Sequence, residues 1–293
     1  MDDDQRSLSA GEVARELGVA VTTIRTWDRR YGLGPAQREA GKHRRYDTTD
    51  LARLRLMRQL TVDGVAPAEA ARLARRLPTS LAATQAVAQQ LAGKEAGAAV
   101  RGLCRAALAL DVVQTDRLLS DAVGRCGVVV TWTTIIAPAL IELGRRHAQA
   151  GRYIEAEHLL SNTVSRALAR VPRNDALPAV LLACGPQEQH TLALEATAAA
   201  LAETGRGSRM LGARVPAQSL STAISKTGPH AVVLWSHQLQ RDDLLQLAAA
   251  MTARPRPLII ATCGPGWQTR PPQDGVIAPA SFVELLHVLQ LVA

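Results

Sequence analysis

Between Ser9 and Arg76 the chain alternates short helical patterns with glycine stops, and this segment narrows the possible folds more than any other. Ser9-Ala10-Gly11-Glu12 is a capping box, in which Ser9 and Glu12 can satisfy each other's free backbone donors. The helix that follows carries Val13, Ala14 and Leu17 on one face and stops at Gly18. After a tight turn, Val21 to Arg30 forms a second short helix ending at Tyr31-Gly32, and Gly41-Lys42-His43-Arg44-Arg45-Tyr46 reads as a basic β-wing. Between positions 23 and 61 there are ten Lys/Arg against four Asp/Glu. A winged helix-turn-helix with cations on one helix and on the adjacent wing is suited to facing phosphates.

Gly11-Glu12-Val13-Ala14, Leu17-Gly18-Val19, Ile24 to Arg30 and His43-Arg44-Arg45-Tyr46, followed by Asp50-Leu51 and Leu54, together resemble the MerR family of transcriptional regulators. The chain departs from that pattern at Ala20-Val21, where relatives usually offer a serine cap and a proline. The loss weakens the second helix's cap by about 1 kcal/mol. The resemblance implies a partner in double-stranded promoter DNA. Thr22, Thr23, Arg25 and Arg29 would enter the major groove or its edges, and Lys42, His43, Arg44 and Arg45 would grip backbone and minor groove. Tyr46 braces the wing, and Trp27 is expected in the core rather than on DNA. Phosphate contacts supply most of the affinity and none of the sequence choice. A single head reads too few base pairs, so a homodimer or homotetramer on repeated half-sites is expected.

At 293 residues two or three domains are expected. Residues 1–78 hold the DNA-binding pattern, in which 50–59 and 67–77 read as two closing helices. Residues 79–172 are almost purely helical in pattern, with candidates at Leu81–Leu91, Lys94–Leu110, Val112–Arg125, Trp132–Ala150 and Tyr153–Arg170. Their short connections imply an antiparallel bundle. Past Pro172-Arg173-Asn174-Asp175 the texture changes. Ala179–Cys184, Arg209–Leu211, Ala231–Trp235 and Pro257–Thr262 read as strands, alternating with helices at Thr191–Thr204, Ala217–Thr227, Arg241–Thr252 and 282–292. That alternation makes 176–293 a doubly wound, parallel-sheet domain of Rossmann or flavodoxin-like type. Its ligand would lie beyond the carboxyl ends of the strands, at Gly185–His190, Ser236-His237 and Cys263–Gly266. The fold class is therefore multidomain, α plus α/β.

This order of modules resembles the CarH/LitR group of light-responsive, adenosylcobalamin-binding repressors within the MerR family. Pro138 to Gly144 followed by Glu157-His158 looks like that group's bundle signature, and Glu188-Gln189-His190 stands where the group has Glu-x-His-x-x-Gly. Leu211-Gly212-Ala213 and Pro216 match the segment after the second strand. The resemblance implies a cobalamin, as adenosylcobalamin or another corrinoid, with His190 as lower cobalt ligand and Glu188 orienting it. Ser236 and Cys263-Gly264 would line a slot for the displaced nucleotide tail. The chain departs from the group at Ala193, at Cys263, and at His147-Ala148, which replace the group's Trp-His. Moving a histidine by one position turns it about 100° around a helix. His147 either faces the cobalt itself, giving a bis-histidine state, or is a solvated histidine beside Arg145 and Arg146. Glu157-His158 covers the ligand or is a buried pair fastening two helices.

Three readings of the whole follow: a regulator governed by light or a ligand through a corrinoid, a regulator whose pocket holds another ligand or a protein partner, and a corrinoid enzyme subunit. No paired catalytic carboxylates or Cys/His nucleophile arrangement occurs, so no enzyme is expected. Cys104, Cys126, Cys184 and Cys263 lack metal-site spacing and read as buried thiols of a reducing compartment. The acidic start Met1-Asp2-Asp3-Asp4 is unlike a signal peptide, and no apolar run is read as reaching the ~20 residues of a membrane span, so a cytoplasmic location is expected. The net charge of +8 fits an anionic partner, although an arginine- and alanine-rich composition raises charge by itself.

Overall fold

The computed structural model describes residues 8–35, 45–62, 66–75, 94–173, 179–271 and 273–290. Lys42, His43, Arg44, the Leu81–Leu91 helix and the Met1–Asp4 start lie outside the described residues. Two compact units are present, the head, with which Gln273–Val276 groups, and the rest of the chain.

In the head, β1 (Leu8–Ser9) pairs antiparallel with β2 (Arg45–Tyr46), Leu8 standing opposite Tyr46. Ser9 then starts α1 (Ala10–Glu16): its amide donates to Glu12 Oε2 at 2.7 Å, and the Glu12 amide donates to its hydroxyl at 3.3 Å. Gly18 supplies the left-handed turn (φ 61°) into α2 (Val21–Tyr31), and Gly32 (φ 67°) ends that helix. Ala20 stands at the N-cap of α2 with no side-chain hydrogen bond, as the missing serine predicts. Helices α3 (Thr48–Val62) and α4 (Pro67–Arg75) close the unit, and Arg75 reaches the Tyr31 carbonyl at 2.8 Å. Val13, Ile24, Trp27, Leu33, Tyr46 and Leu54 form its core, placing Trp27 where the sequence put it.

The second unit begins with α5 (Lys94–Leu108), α6 (Val112–Thr131), α7 (Ala137–Ala150) and α8 (Ile154–Ala169). Arg170, just past α8, pairs with Asp116 near the start of α6 at 2.9 Å, so these two run antiparallel. Asp111 caps α6 through the Gln114 amide. Gly127 (φ 76°) breaks α6 and the helix resumes at Val128. Trp132–Ile136 is one π-helical turn instead of the regular helix that periodicity suggests. Pro138 explains it: a proline cannot donate to the carbonyl four residues back, and its ring crowds that carbonyl, which a widened turn relieves. The hydroxyls of Thr133 and Thr134 bond the Val129 and Val130 carbonyls, each at 2.8 Å. The helical stretch Val112–Ala150 is long and apolar enough, by length and composition alone, to cross a membrane. This corrects the expectation of no such run. Here its apolar residues Leu119, Val128, Ile136 and Leu143 face the bundle core.

Four parallel strands follow: β3 (Val180–Cys184), β4 (Ser208–Gly212), β5 (Ala231–Trp235) and β6 (Ile259–Cys263), in the order β4-β3-β5-β6. The alternating helices are α9 (Leu192–Glu203), α10 (Ala217–Thr227), α11 (Arg241–Thr252) and α12 (Phe282–Gln290). Helices α9 and α12 pack together, as do α10 and α11. Strand β6 starts two residues later than expected, because Pro257 cannot donate to a ladder. The pairing Cys184–Trp235–Cys263 is level across three strands, so the residues after them, Gly185, Ser236 and Gly264, stand in one row at the carboxyl edge. One continuous core runs from Leu103 and Leu143 of the bundle, through Leu194 and Leu201 of α9, to Leu182, Val233 and Ile259 of the sheet.

Candidate functional sites

On α2, spacing divides the helix into two faces. Ile24, Trp27 and Asp28 are buried, while Thr22, Arg25 and Arg29 are exposed on one stripe with Thr23 half-buried beside it. The Thr26 hydroxyl is spent on the Thr22 carbonyl at 2.8 Å. The exposed stripe therefore offers two guanidinium groups and the Thr22 hydroxyl, the donor set suited to base edges and phosphates. Arg45 is exposed on β2 next to the buried Tyr46, so the wing's base is braced by an aromatic core residue.

At the carboxyl edge of the sheet the loop after β3 is organised around one carboxylate. Glu188 is buried, and its Oε1 accepts the amides of Gln189 and His190, both at 2.8 Å, and lies 2.6 Å from His190 Nδ1. Its Oε2 accepts the His237 amide at 2.6 Å, tying the β3 loop to the β5 loop. Burial pushes this carboxyl up, but the His190 and His237 amides and the His190 imidazole outweigh that and hold it below the usual carboxylate range. Glu188 thus grips the His190 ring at Nδ1 and leaves Nε2, on a side chain 72% exposed, pointing away from the carboxylate, the orientation in which an imidazole can meet a metal. The His237 ring stands 5.4 Å from that of His190. Both edge a cavity of about 220 Å³ that also reaches Gln187, Gln240 and Asp243.

Asp243 forms the floor on that side. It is buried, it accepts the Gln240 amide at 2.6 Å, and its Oδ2 lies 3.2 Å from the Ser236 hydroxyl. Burial pushes its carboxyl up, against the lowering by Gln240 and Ser236, and the charge of Glu188 adds to the rise. A Cβ on Gly185 would meet Asp243 Oδ1 at 1.8 Å, so only glycine fits there.

Residues 8–77 match the family described as "MerR HTH family regulatory protein", and residues 99–171 match a "B12 binding domain". The chain is 32% identical over 228 residues to the HTH-type transcriptional repressor CarH of Myxococcus xanthus, covering 76% of each protein. It is also 28% identical over 230 residues to the HTH-type transcriptional repressor CarA of the same organism, covering 76% of this chain and 74% of that one. The chain belongs to the CarH family of MerR-type transcriptional regulators. Among solved structures it is similar to the monomethylamine corrinoid protein of Methanosarcina barkeri, with a TM-score of 0.49 and 14% identity over 64% of this chain and 95% of that one.

This ligand-responsive regulator carries its sequence-selected sensor residues in two groups. Glu188, His190, Ser236 and Gly264 come together at the carboxyl edge. There the Ser236 hydroxyl bonds the Gln238 carbonyl at 2.9 Å, and a Cβ on Gly264 would meet the Ser236 carbonyl at 2.4 Å. These small residues let two loops close on each other, with the Ser236 side chain buried and Gly264 half-buried. His147, Glu157 and His158 lie in the bundle, at the α7–α8 turn. His147 is exposed, with Nδ1 3.1 Å from the Arg152 carbonyl. Glu157 accepts the Ser161 hydroxyl at 2.8 Å, and its partner His158, 3.7 Å away, is 66% exposed. Glu157 and His158 thus sit on one helix and do not form a buried pair between two. Sequence reasoning missed Asp243 and the grip of Glu188 on the His237 amide. The capping pattern Gln240-x-x-Asp243 was the one signal for the first, and the second has none. Cys104, Cys184 and Cys263 are buried free thiols and Cys126 is half-buried. Burial pushes Cys184 and Cys263 up to about 12, which makes both inert at neutral pH.

Proposed function

We propose that this regulator binds promoter DNA through its head and takes a cobalamin at the carboxyl edge of its sheet, with His190 as the lower cobalt ligand. The observation that carries the reading is the Glu188–His190 pair, in which a buried carboxylate 2.6 Å from Nδ1 fixes the imidazole and leaves Nε2 away from it. The likeness to two named repressors supports a regulator over an enzyme subunit, and supports a cytoplasmic location. When bound, the corrinoid would supply a cobalt centre responsive to light or redox state. The protein's part would be to orient His190 through Glu188, to keep the two loops closed through Ser236, Gly264 and Gly266, and to hold the group further through His147, Glu157 and His158 of the bundle turn. Adenosylcobalamin and a non-adenosyl corrinoid are both candidate ligands. In the head, Thr22, Thr23, Arg25 and Arg29 read the major groove and Lys42, His43, Arg44 and Arg45 hold the backbone. The assembly on DNA is a homodimer or homotetramer, whose symmetry doubles the bases read.

Two measurements test this. Purified protein mixed with adenosylcobalamin or hydroxocobalamin should acquire their visible absorption, with a band shift that His190→Ala abolishes; a colourless protein after mixing overturns the cofactor assignment. On a promoter fragment, Arg25→Ala should cost about 1–3 kcal/mol and relax base preference, whereas Arg44→Ala should weaken all sequences alike and flatten the salt slope by about 1. Unchanged retardation in both variants overturns the DNA assignment.

A further inference from the structure

Helix α9 leaves the His190 loop at one end and meets the bundle at the other. Its first residue, Leu192, follows His190 by two positions, and its last, Glu203, lies about 17 Å further on. There both carboxylate oxygens of Glu203 accept the Val128 amide, at 2.9 and 3.0 Å. Val128 is the residue at which α6 resumes after the Gly127 break. A helix that restarts has amides without intrahelical acceptors, and Glu203 satisfies one of them from a different layer of the molecule, acting as an N-cap with the charge sign that a helix start favours. A Cβ at Gly127 would stand 3.5 Å from both of those oxygens, and its φ of 76° disfavours any other residue.

The body of α9 is built as a rod. Every residue from Ala196 to Ala202 is buried, so the helix is enclosed on all sides, and it packs against β3 and β4 on one side and α6 and α8 on the other. An alanine-rich helix in that position cannot bend without opening the core on its bundle side or on its sheet side. Just past Val128 comes the π-helical turn, whose Trp132 ring packs 5.9 Å from Phe282 of α12.

We propose that α9 is the coupling element of the sensor half, and that Glu203 is the positioning residue through which events at the His190 loop reach the bundle. The ligand that would drive it is the one assigned above, and this step rests on that assignment. A shift of the loop moves α9 along its axis, withdraws or presses the Glu203 carboxylate at Val128, and so alters the start of the helix that runs into α7.

The test is amide hydrogen exchange on the full-length protein, first without cofactor. Glu203→Ala should speed exchange over 128–136 by about tenfold and also loosen the loop at 185–192. In the reverse direction, Glu188→Ala should loosen 128–136 as well as its own loop, since coupling is reciprocal. Glu203→Gln keeps an acceptor oxygen and should restore exchange rates near those of the wild type. Glu203→Asp, which withdraws the carboxylate by one methylene, replaces the alanine variant if that fails to fold. Variants that each disturb only their own end overturn the proposal. With hydroxocobalamin as probe, Glu203→Ala should take up the corrinoid as the wild type does, yet lose the cofactor-dependent change in promoter affinity; a retained change also overturns it. Wild-type protein that takes up no corrinoid removes the cofactor assignment alone, and the reciprocal exchange result still decides the coupling.

Discussion

The carboxyl edge of the sheet leaves no room for a methyl group at Gly185. Its missing Cβ is the space occupied by Asp243 Oδ1, so an added methyl must push back either the exit of β3 or a buried carboxylate that Gln240 and Ser236 hold in place. Gly185→Ala should therefore cost about 1–3 kcal/mol in urea denaturation, the usual penalty of overpacking. Gly102, inside α5, has nothing within 4 Å of its Cβ direction. Gly102→Ala should stabilise by about 0.5–1 kcal/mol, because the helix then orders a less mobile residue. A Gly185→Ala protein as stable as the wild type would mean that Asp243 does not sit against β3. Glu188 and His190 were legible in the sequence because they share one short loop and one chemistry. Asp243 was not, because the strand register that brings it under Gly185 is set by contacts far apart in the chain.

Helix α12 buries Leu285, Leu286, Val288 and Leu289 and, among them, His287, whose Nδ1 has no partner among the described residues. Burial lowers its pKa from the ordinary value of 6.5. The sign follows directly: below 6.5 the unfolded chain takes up this proton and the folded chain resists it. Stability is therefore full above 6.5 and falls as pH drops towards the lower folded value, by at most about 1.4 kcal/mol per pH unit. His287→Leu should remove that part of the dependence. Urea midpoints taken between about pH 7.5 and about pH 5 would show it, and equal slopes for both proteins would dismiss a buried neutral histidine. Periodicity had marked α12 as a helix, as it had α5, α8, α10 and α11. It missed the π-helical turn, because the effect of Pro138 on the carbonyl before it is a matter of backbone hydrogen bonds and leaves hydrophobic spacing untouched. The break at Gly127 was legible as a glycine between two helical patterns, but the restart at Val128, ahead of the expected Trp132, was not, since its cap comes from Glu203 on another element.

At the scale of the molecule, composition marks where texture changes, near Pro172, but it does not report which faces meet. The helical half and the strand–helix half share one core, with α9 between them. A boundary visible in the sequence therefore need not be a boundary in unfolding. Leu143 in α7 and Ile259 in β6 are both fully buried, one in the helical layer and one in the sheet of the same core. Leu143→Ala and Ile259→Ala should each cost about 2–5 kcal/mol. Because the two layers have no separate cores, both substitutions should lower the same calorimetric transition, by about 2–4 °C per kcal/mol for a unit of this size. The head has its own core around Ile24, Trp27 and Tyr46, and its transition should stay in place in both variants. The two-state criterion sharpens the test: calorimetric and van't Hoff enthalpies should agree for the larger transition. A bundle that melts apart from the sheet, with Leu143→Ala moving one peak and Ile259→Ala another, would leave α9 as a contact between two domains instead of the spine of one.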